Sequence, residues 1–127
     1  MNSMSLSPFA TQNWPTEIRY KSDKNALEID FDDGISFSYT SELLRVESPS
    51  AEVRGHDGIK KIIYGCRQVR ITAIDHVGNY AVRLIFDDGH NTGIYSWSYL
   101  RYLGDNRQIV WENYLTALKE KGLSRDK

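Results

Sequence analysis

Phe86-Asp87-Asp88-Gly89-His90-Asn91-Thr92-Gly93-Ile94-Tyr95-Ser96-Trp97-Ser98-Tyr99-Leu100-Arg101 reads as a hairpin feeding a short helix. The same phrase stands earlier, as Phe31-Asp32-Asp33-Gly34-Ile35-Ser36-Phe37-Ser38-Tyr39-Thr40-Ser41-Glu42-Leu43-Leu44-Arg45. Both copies hold Phe-Asp-Asp-Gly, and Tyr39 precedes Leu44-Arg45 as Tyr95 precedes Leu100-Arg101. Period decides the bend. A two-residue loop would set Phe31 against Ser36, apolar against polar. A three-residue loop, Asp32-Asp33-Gly34, sets Phe31 against Ile35 and keeps apolar residues on one face, with Gly34 at positive φ. The same logic sets Phe86 against His90, Leu84 against Thr92 and Val82 against Ile94.

Outward from the two bends, Glu17–Lys21 reads as a short strand. Leu27, Ile29 and Phe31 alternate with Glu28 and Asp30, as a half-buried strand requires. Thr40 or Ser41 caps a short helix through Arg45, with Glu42 in its favourable first turn. Ser48-Pro49-Ser50 stops it. Residues 51–68 are loop-rich, with Lys61–Tyr64 a candidate short strand. Val69–Val77 reads as a strand with Val69, Ile71, Ala73 and Val77 on one face, and Tyr80–Phe86 as the next. Ser96 caps a helical turn ending at Gly104. Asp105 and Gln108 have capping-box spacing. Val110, Trp111, Tyr114, Leu115 and Leu118 then make an apolar stripe that Gly122 ends. The fold class is therefore α+β: a mostly antiparallel sheet of five to six strands, short helices after the hairpins and a C-terminal amphipathic helix. Residues 1–15 are expected as a flexible arm in which Phe9 and Trp14 can dock, 16–122 as one domain, and 123–127 as a frayed tail.

With 127 residues, 40% of them hydrophobic, the chain needs no staple to fold. A net charge of -1 supplies no global field toward nucleic acid or membrane. One cysteine, Cys66, excludes an intrachain disulfide. No apolar run approaches a bilayer span and no signal peptide is evident, so a cytoplasmic location is expected.

Three further stretches carry a resemblance. They are Glu42-Leu43-Leu44-Arg45-Val46-Glu47-Ser48-Pro49-Ser50-Ala51-Glu52-Val53-Arg54-Gly55-His56, Val77-Gly78-Asn79-Tyr80-Ala81-Val82-Arg83, and Phe86 to Leu100. Over about residues 17–104 the chain resembles the gamma-butyrobetaine hydroxylase-like N-terminal domain family. That family occurs as stand-alone bacterial proteins, before the catalytic domain of the hydroxylase, and attached to P-loop proteins of the iron–sulfur scaffold type. In the hydroxylases the domain holds a structural zinc through Cys-Pro-Cys-x-x-Cys and a distant His. The resemblance places those ligands at Ser48, Ser50, Val53 and His90. One of four is kept, so neither zinc nor another cofactor is expected, and the chain should fold without metal. His90 should then hydrogen-bond to the Ser48–Ser50 segment.

The signatures of catalysis have simpler readings in this chain. His56, His76 and His90 are each followed two residues on by Gly58, Gly78 and Thr92, so the His-x-Asp/Glu of a non-haem iron oxygenase is missing. Turn chemistry accounts for Asp32/Asp33 and Asp87/Asp88. The glycine spacings lack the Gly-Lys-Ser/Thr of a phosphate loop. Tyr95, Tyr99 and Tyr102 line one side at helical spacing. The candidate interaction surface is Ser48, Ser50, His56, His90, Tyr95 and Trp97, aromatic residues being common binding anchors. Arg54, Lys60, Lys61, Arg67 and Arg70 form a basic run, and residues 23–33 an acidic one; the two either pair, lie solvated, or meet an acidic partner or, less favoured, RNA. The expectation is a non-catalytic protein-interaction or accessory domain, linked by the resemblance to iron–sulfur assembly or a metalloenzyme. Its protein partner is unidentified. The alternative is a metal-binding module through His90 with a rearranged ligand set, for which Cys66 is one candidate.

Overall fold

Both Phe-Asp-Asp-Gly phrases form three-residue bends in the computed structural model, which describes residues 13–55 and 60–126. At the first, the Phe31 N–H donates to the Ile35 carbonyl at 2.9 Å and the Gly34 N–H to the Phe31 carbonyl at 3.0 Å. At the second, the Phe86 N–H donates to His90 at 3.0 Å and the Gly89 N–H to Phe86 at 3.1 Å. Gly34 and Gly89 have φ of 85° and 92°, a region that costs any residue with a Cβ.

Six strands among the described residues form two antiparallel sheets. β1 (Pro15–Lys21), β2 (Ala26–Phe31) and β3 (Ser36–Thr40) make one, and β4 (Ile71–Val77), β5 (Ala81–Phe86) and β6 (Ile94–Ser96) the other. Helices α1 (Ser41–Val46) and α3 (Trp97–Asp105) follow the third strand of each sheet; α2 (Ala51–Arg54) and α4 (Arg107–Glu120) complete the α+β fold. None of these helices is long and apolar enough to cross a membrane.

The repeat is larger than the hairpin and helix that the sequence reveals. It is a strand–strand–strand–helix unit, used twice. β2 and β5 share one burial pattern. β1 and β4 each slip register at their second residue, Thr16 and Thr72. Both hydroxyls donate across the slip at 3.2 Å, to Asp30 and Ile85 carbonyls at equivalent positions. Thr40 and Ser96 cap α1 and α3 by accepting N–H groups three residues on. Each unit also grips the other. The Tyr39 hydroxyl donates to the Leu100 carbonyl at 2.7 Å, and the Tyr95 hydroxyl to the Leu44 carbonyl. Arg101 binds Asp33, and Arg45 binds Asp88, each at 2.8 Å. The grip has the logic of a two-fold interface inside one chain. Leu27, Ile29, Leu44, Val82, Leu84, Leu100 and Leu103, all at 0% exposure, fill the space between the units.

Several expectations need correction. The slip at Thr72 turns β4 over, so Ile74 packs on the core and Ala73 is exposed. Residues 91–93 hold one residue more than the first copy, so Val82 pairs with Tyr95 and not Ile94, and the Leu84 N–H meets the Gly93 carbonyl. Tyr95 therefore turns inward and Ile94 out, at 46% exposure. Lys61–Tyr64 joins neither sheet, whereas Ser50 caps the short α2. Gly104 does not end α3; it lies inside the helix, where an added Cβ would come within 2.5 Å of the Phe37 ring. Asn106, not Asp105, is the residue before α4, and its side chain bonds the Tyr102 carbonyl.

In α4, Val110, Tyr114 and Leu118 are buried while Leu115 is exposed. Gly122 (φ 64°) does end it: the Leu123 N–H returns to Leu118 and that of Gly122 to Lys119, a paired C-terminal cap. The tail expected to fray lies along the body through residue 126. Gly65 and Arg67 donate N–H groups to Ser124 and Arg125, and the Arg125 guanidinium holds buried Glu42 at 2.7 Å. Trp14 pairs its carbonyl with the Asp32 N–H while its ring is 43% exposed; Phe9 lies outside the described residues.

Candidate functional site

The second bend delivers His90 beneath the loop between α1 and α2. Ser48 Oγ lies 2.8 Å from His90 Nε2, and Glu52 Oε1 lies 2.9 Å from Nδ1. Ser50 Oγ meets Thr92 Oγ1 at 2.6 Å and caps α2 by accepting the Glu52 N–H. The Ser50 N–H donates to Ser48 Oγ at 3.2 Å. The His90 N–H donates to Asp88 Oδ1 at 3.0 Å, which holds the bend itself. As the resemblance implied, His90 is bonded to the Ser48–Ser50 segment. Ser48, Ser50, Val53 and His90 are all buried, at 0%, 7%, 1% and 5% exposure.

Burial lowers the His90 pKa from its ordinary value, and the Arg45 charge adds to this while Glu52 opposes it. The neutral ring that follows has one self-consistent pattern: Nδ1–H donates to Glu52 and Nε2 accepts the Ser48 hydroxyl. Asp88 goes the other way from its own burial, which would raise it; the His90 N–H and the Arg45 guanidinium hold it below the ordinary carboxylate value.

Serine, histidine and a carboxylate in that order are the connectivity of a hydrolytic triad. Exposure is inverted, however. The Ser48 hydroxyl is in a residue at 0% exposure, whereas the Glu52 side chain is 62% exposed. The end that would have to attack is buried and the carboxylate end is open to solvent, which is the geometry of a tie between the bend and the loop. Nor do these residues fit a structural zinc. The set is two hydroxyls, one alkyl group and an imidazole with both nitrogens engaged, where such a site takes four sulfur or nitrogen donors. Among the described residues no three His, Cys, Asp or Glu side chains converge. Cys66 is buried and lines a different cavity, with Arg45, Asp87 and Asp88.

The candidate interaction surface is also corrected. Ser48, Ser50, His90, Tyr95 and Trp97 are core residues, none above 7% exposure, and His56 lies outside the described residues. Tyr95 is inside because of the extra residue at 91–93. Trp97 is inside because its indole Nε1 donates to the Asn79 carbonyl at 2.8 Å.

What the fold exposes instead is a cleft of about 450 Å³ beside this corner. Val46, Ile62, Val110 and Ala117 give it an apolar lining, and Arg54, Lys60 and Lys61 a cationic one. Tyr95, Tyr99 and Tyr102 form a row with centroids 6.2 Å apart at each step, from a fully buried ring to one 53% exposed in the cleft. Arg54 lies over the Tyr99 ring at 5.7 Å and bonds its hydroxyl. Burial pushes the Tyr99 pKa up to about 12 despite that cation. Glu47, 5% exposed, holds Lys60 at 2.5 Å. The basic and acidic runs do not pair with each other: Arg67 takes Asp126, Arg70 the Ser22 carbonyl, and Arg19 both Glu28 and Asp30. Both parts of the cleft were visible in sequence, as tyrosines at helical spacing and as a basic run. Only folding joins them.

A family model described as gamma-butyrobetaine hydroxylase-like, N-terminal, matches residues 18–101. One solution NMR structure of a protein is similar at 46% identity and a TM-score of 0.81, over 95% of this chain and 91% of that one. A second is similar at 37% identity and 0.79, over 90% of each. A crystal structure of a protein with unknown function of the DUF971 family, from Acidithiobacillus ferrooxidans, is similar at 42% identity and 0.61, over 71% of this chain and 91% of that one. Comparison with curated proteins finds no match. With its model covering most of the chain, the protein belongs to the gamma-butyrobetaine hydroxylase-like N-terminal domain family.

Proposed function

We propose that the chain is a non-catalytic accessory domain that binds another protein, and that the cleft between the end of α1, residues 60–63, α3 and α4 is the binding face. One observation carries this reading. Tyr102 is 53% exposed while its ring stacks on that of Tyr99 at 21° between planes, beside an apolar lining. A large ring already held in place loses little freedom on binding, which is what makes tyrosine an anchor. The family's fusions to an iron–sulfur scaffold protein and to a metalloenzyme favour partners of those two kinds, by association alone. The structural tie at His90 supports the non-catalytic part.

A photo-cross-linking residue at position 102, used in the source cells, tests the reading. Position 80 is the control, since Tyr80 is 51% exposed outside the cleft. The expected result is one recurrent partner captured from position 102 and not from 80, competed by the unmodified chain but not by Tyr102→Ala. Equal capture from both positions, or none from 102, overturns it.

A further inference from the structure

We infer that the cleft recognises an acidic segment of a protein partner, with carboxylates on Arg54, Lys60 and Lys61 and an apolar side chain against Tyr102. This rests on the reading of the cleft as a binding face, and adds what the face selects.

The charge balance is local and opposite to that of the whole. The chain carries a net charge of -1, yet among the described residues that line it the cleft sets three cations against a single carboxylate, Glu47. Glu47 is nearly fully buried and already engaged by Lys60, so it offers little to a visitor. The cations are placed before anything arrives. Arg54 donates through Nη2 to the Glu47 carbonyl at 3.2 Å and to the Tyr99 hydroxyl, while its side chain stays 36% exposed. Its planar fork keeps other N–H groups to meet a carboxylate. Lys60 stays 38% exposed while tied to Glu47. The Lys61 N–H donates to the Val53 carbonyl at 2.7 Å, which fixes the point from which its exposed side chain leaves.

The tyrosines divide the labour. The Tyr99 hydroxyl donates to the Glu47 carbonyl, and that of Tyr114 to Ile63 at 2.6 Å. Their polar ends are spent within the fold, leaving rings as walls. Polar recognition therefore falls to the cations, and the apolar lining takes a side chain. A peptide alternating acids with Leu or Phe supplies both. A polynucleotide would use the cations but leave the apolar lining unfilled.

The test is NMR titration of the isotope-labelled full chain with a short synthetic peptide alternating Asp or Glu with Leu or Phe. Its Asn/Gln counterpart and an oligouridylate serve as the other arms. The expected result is amide shifts at Lys61, Tyr102 and Asn113 with the acidic peptide, and none at Tyr80 or Ile94. Affinity should fall as salt is raised, and by about tenfold in Lys61→Glu, an exposed position whose change leaves the core intact. Equal binding of the Asn/Gln peptide, or tighter binding of the oligouridylate, overturns acid recognition. So does a silent titration alongside capture from position 102, in which case the accessory-domain reading stands alone. No shift and no capture removes both.

Discussion

The Tyr95 hydroxyl donates a hydrogen bond to the backbone carbonyl of Leu44, and the Tyr39 hydroxyl donates one to that of Leu100. Donors and acceptors are equivalent residues of the two units, so the halves hold each other by one bond used twice. Both rings are at 0% exposure, where an unpaired carbonyl costs about 1–3 kcal/mol. Tyr39→Phe and Tyr95→Phe should each lower the unfolding free energy by that amount, with no change of fold. Urea denaturation of the two variants measures it. A loss under about 0.5 kcal/mol in either would mean that the carbonyl finds another donor and the grip is incidental.

Gly104 puts two known effects in competition. Alanine in a helix is favoured over glycine by about 1 kcal/mol. Here an added Cβ would lie 2.5 Å from Phe37 Cδ2 and 2.6 Å from Cγ. That ring has no easy retreat: Arg107 covers it at 5.0 Å and Arg101 at 5.5 Å. Overpacking of this kind costs about 1–3 kcal/mol, so Gly104→Ala should destabilise on balance. In a Phe37→Leu background the same change should be neutral or stabilising. Thermal unfolding of the four chains decides it, and an equal penalty in both backgrounds would place the fault elsewhere.

The fold is legible in this chain where the information that sets it is local. Gly34 and Gly89 announced their bends because one register keeps apolar residues together. Thr40 and Ser96 announced their helices because a cap is a short-range device. The slips at Thr16 and Thr72 leave no local mark, since a bulge needs only one extra residue. The reversal at Tyr95 did have a signal. Nine positions separate Phe86 from Tyr95 where eight separate Phe31 from Tyr39, so the copies cannot share a register to the end. Taking Tyr95 as the counterpart of Tyr39 would have put it in the core. His90 against Ser48 was legible only through the family resemblance, because 42 residues separate them. The docked tail, and the joining of the cleft's tyrosines to its basic run, were not legible: Arg125 on Glu42 spans 83 residues, and nothing near either residue encodes the meeting.

The corner also predicts a pH dependence. His90 is bound as a neutral ring, and its pKa is lowered by burial first and by Arg45 second. The unfolded chain takes up a proton near the ordinary value of 6.5, while the folded chain resists until a lower pH. Stability from this group is therefore complete above pH 6.5 and lost as pH falls from there to the folded value. Asp30, held down to about 2 by Arg19 and then Ser36, titrates in a separate window below its ordinary 3.8. His90→Gln should lower stability at neutral pH and flatten the slope just below 6.5. Urea unfolding across pH measures both, and an unchanged slope in His90→Gln would show that the ring is not the group responsible.

The same corner bears on metal. The donor set at Ser48, Ser50, Val53 and His90 is wrong for zinc, but the backbone brings Ser48 Oγ within 2.8 Å of the His90 Nε2, and Pro49 still stands between the two serines. Elemental analysis of the purified chain should find no stoichiometric zinc, and a chelator should leave its unfolding midpoint unmoved, because hydrogen bonds already satisfy the ring. The variant with Ser48→Cys, Ser50→Cys and Val53→Cys should behave in the opposite way. Three thiolates and one imidazole make a closed tetrahedral set, so the variant should take up one zinc per chain and lose stability on chelation. Adding His90→Ala to it should weaken the metal. Zinc in the unaltered chain would refute the donor argument. A triple-cysteine variant that folds yet binds none would show that the corner has moved away from a metal geometry as well as from metal ligands.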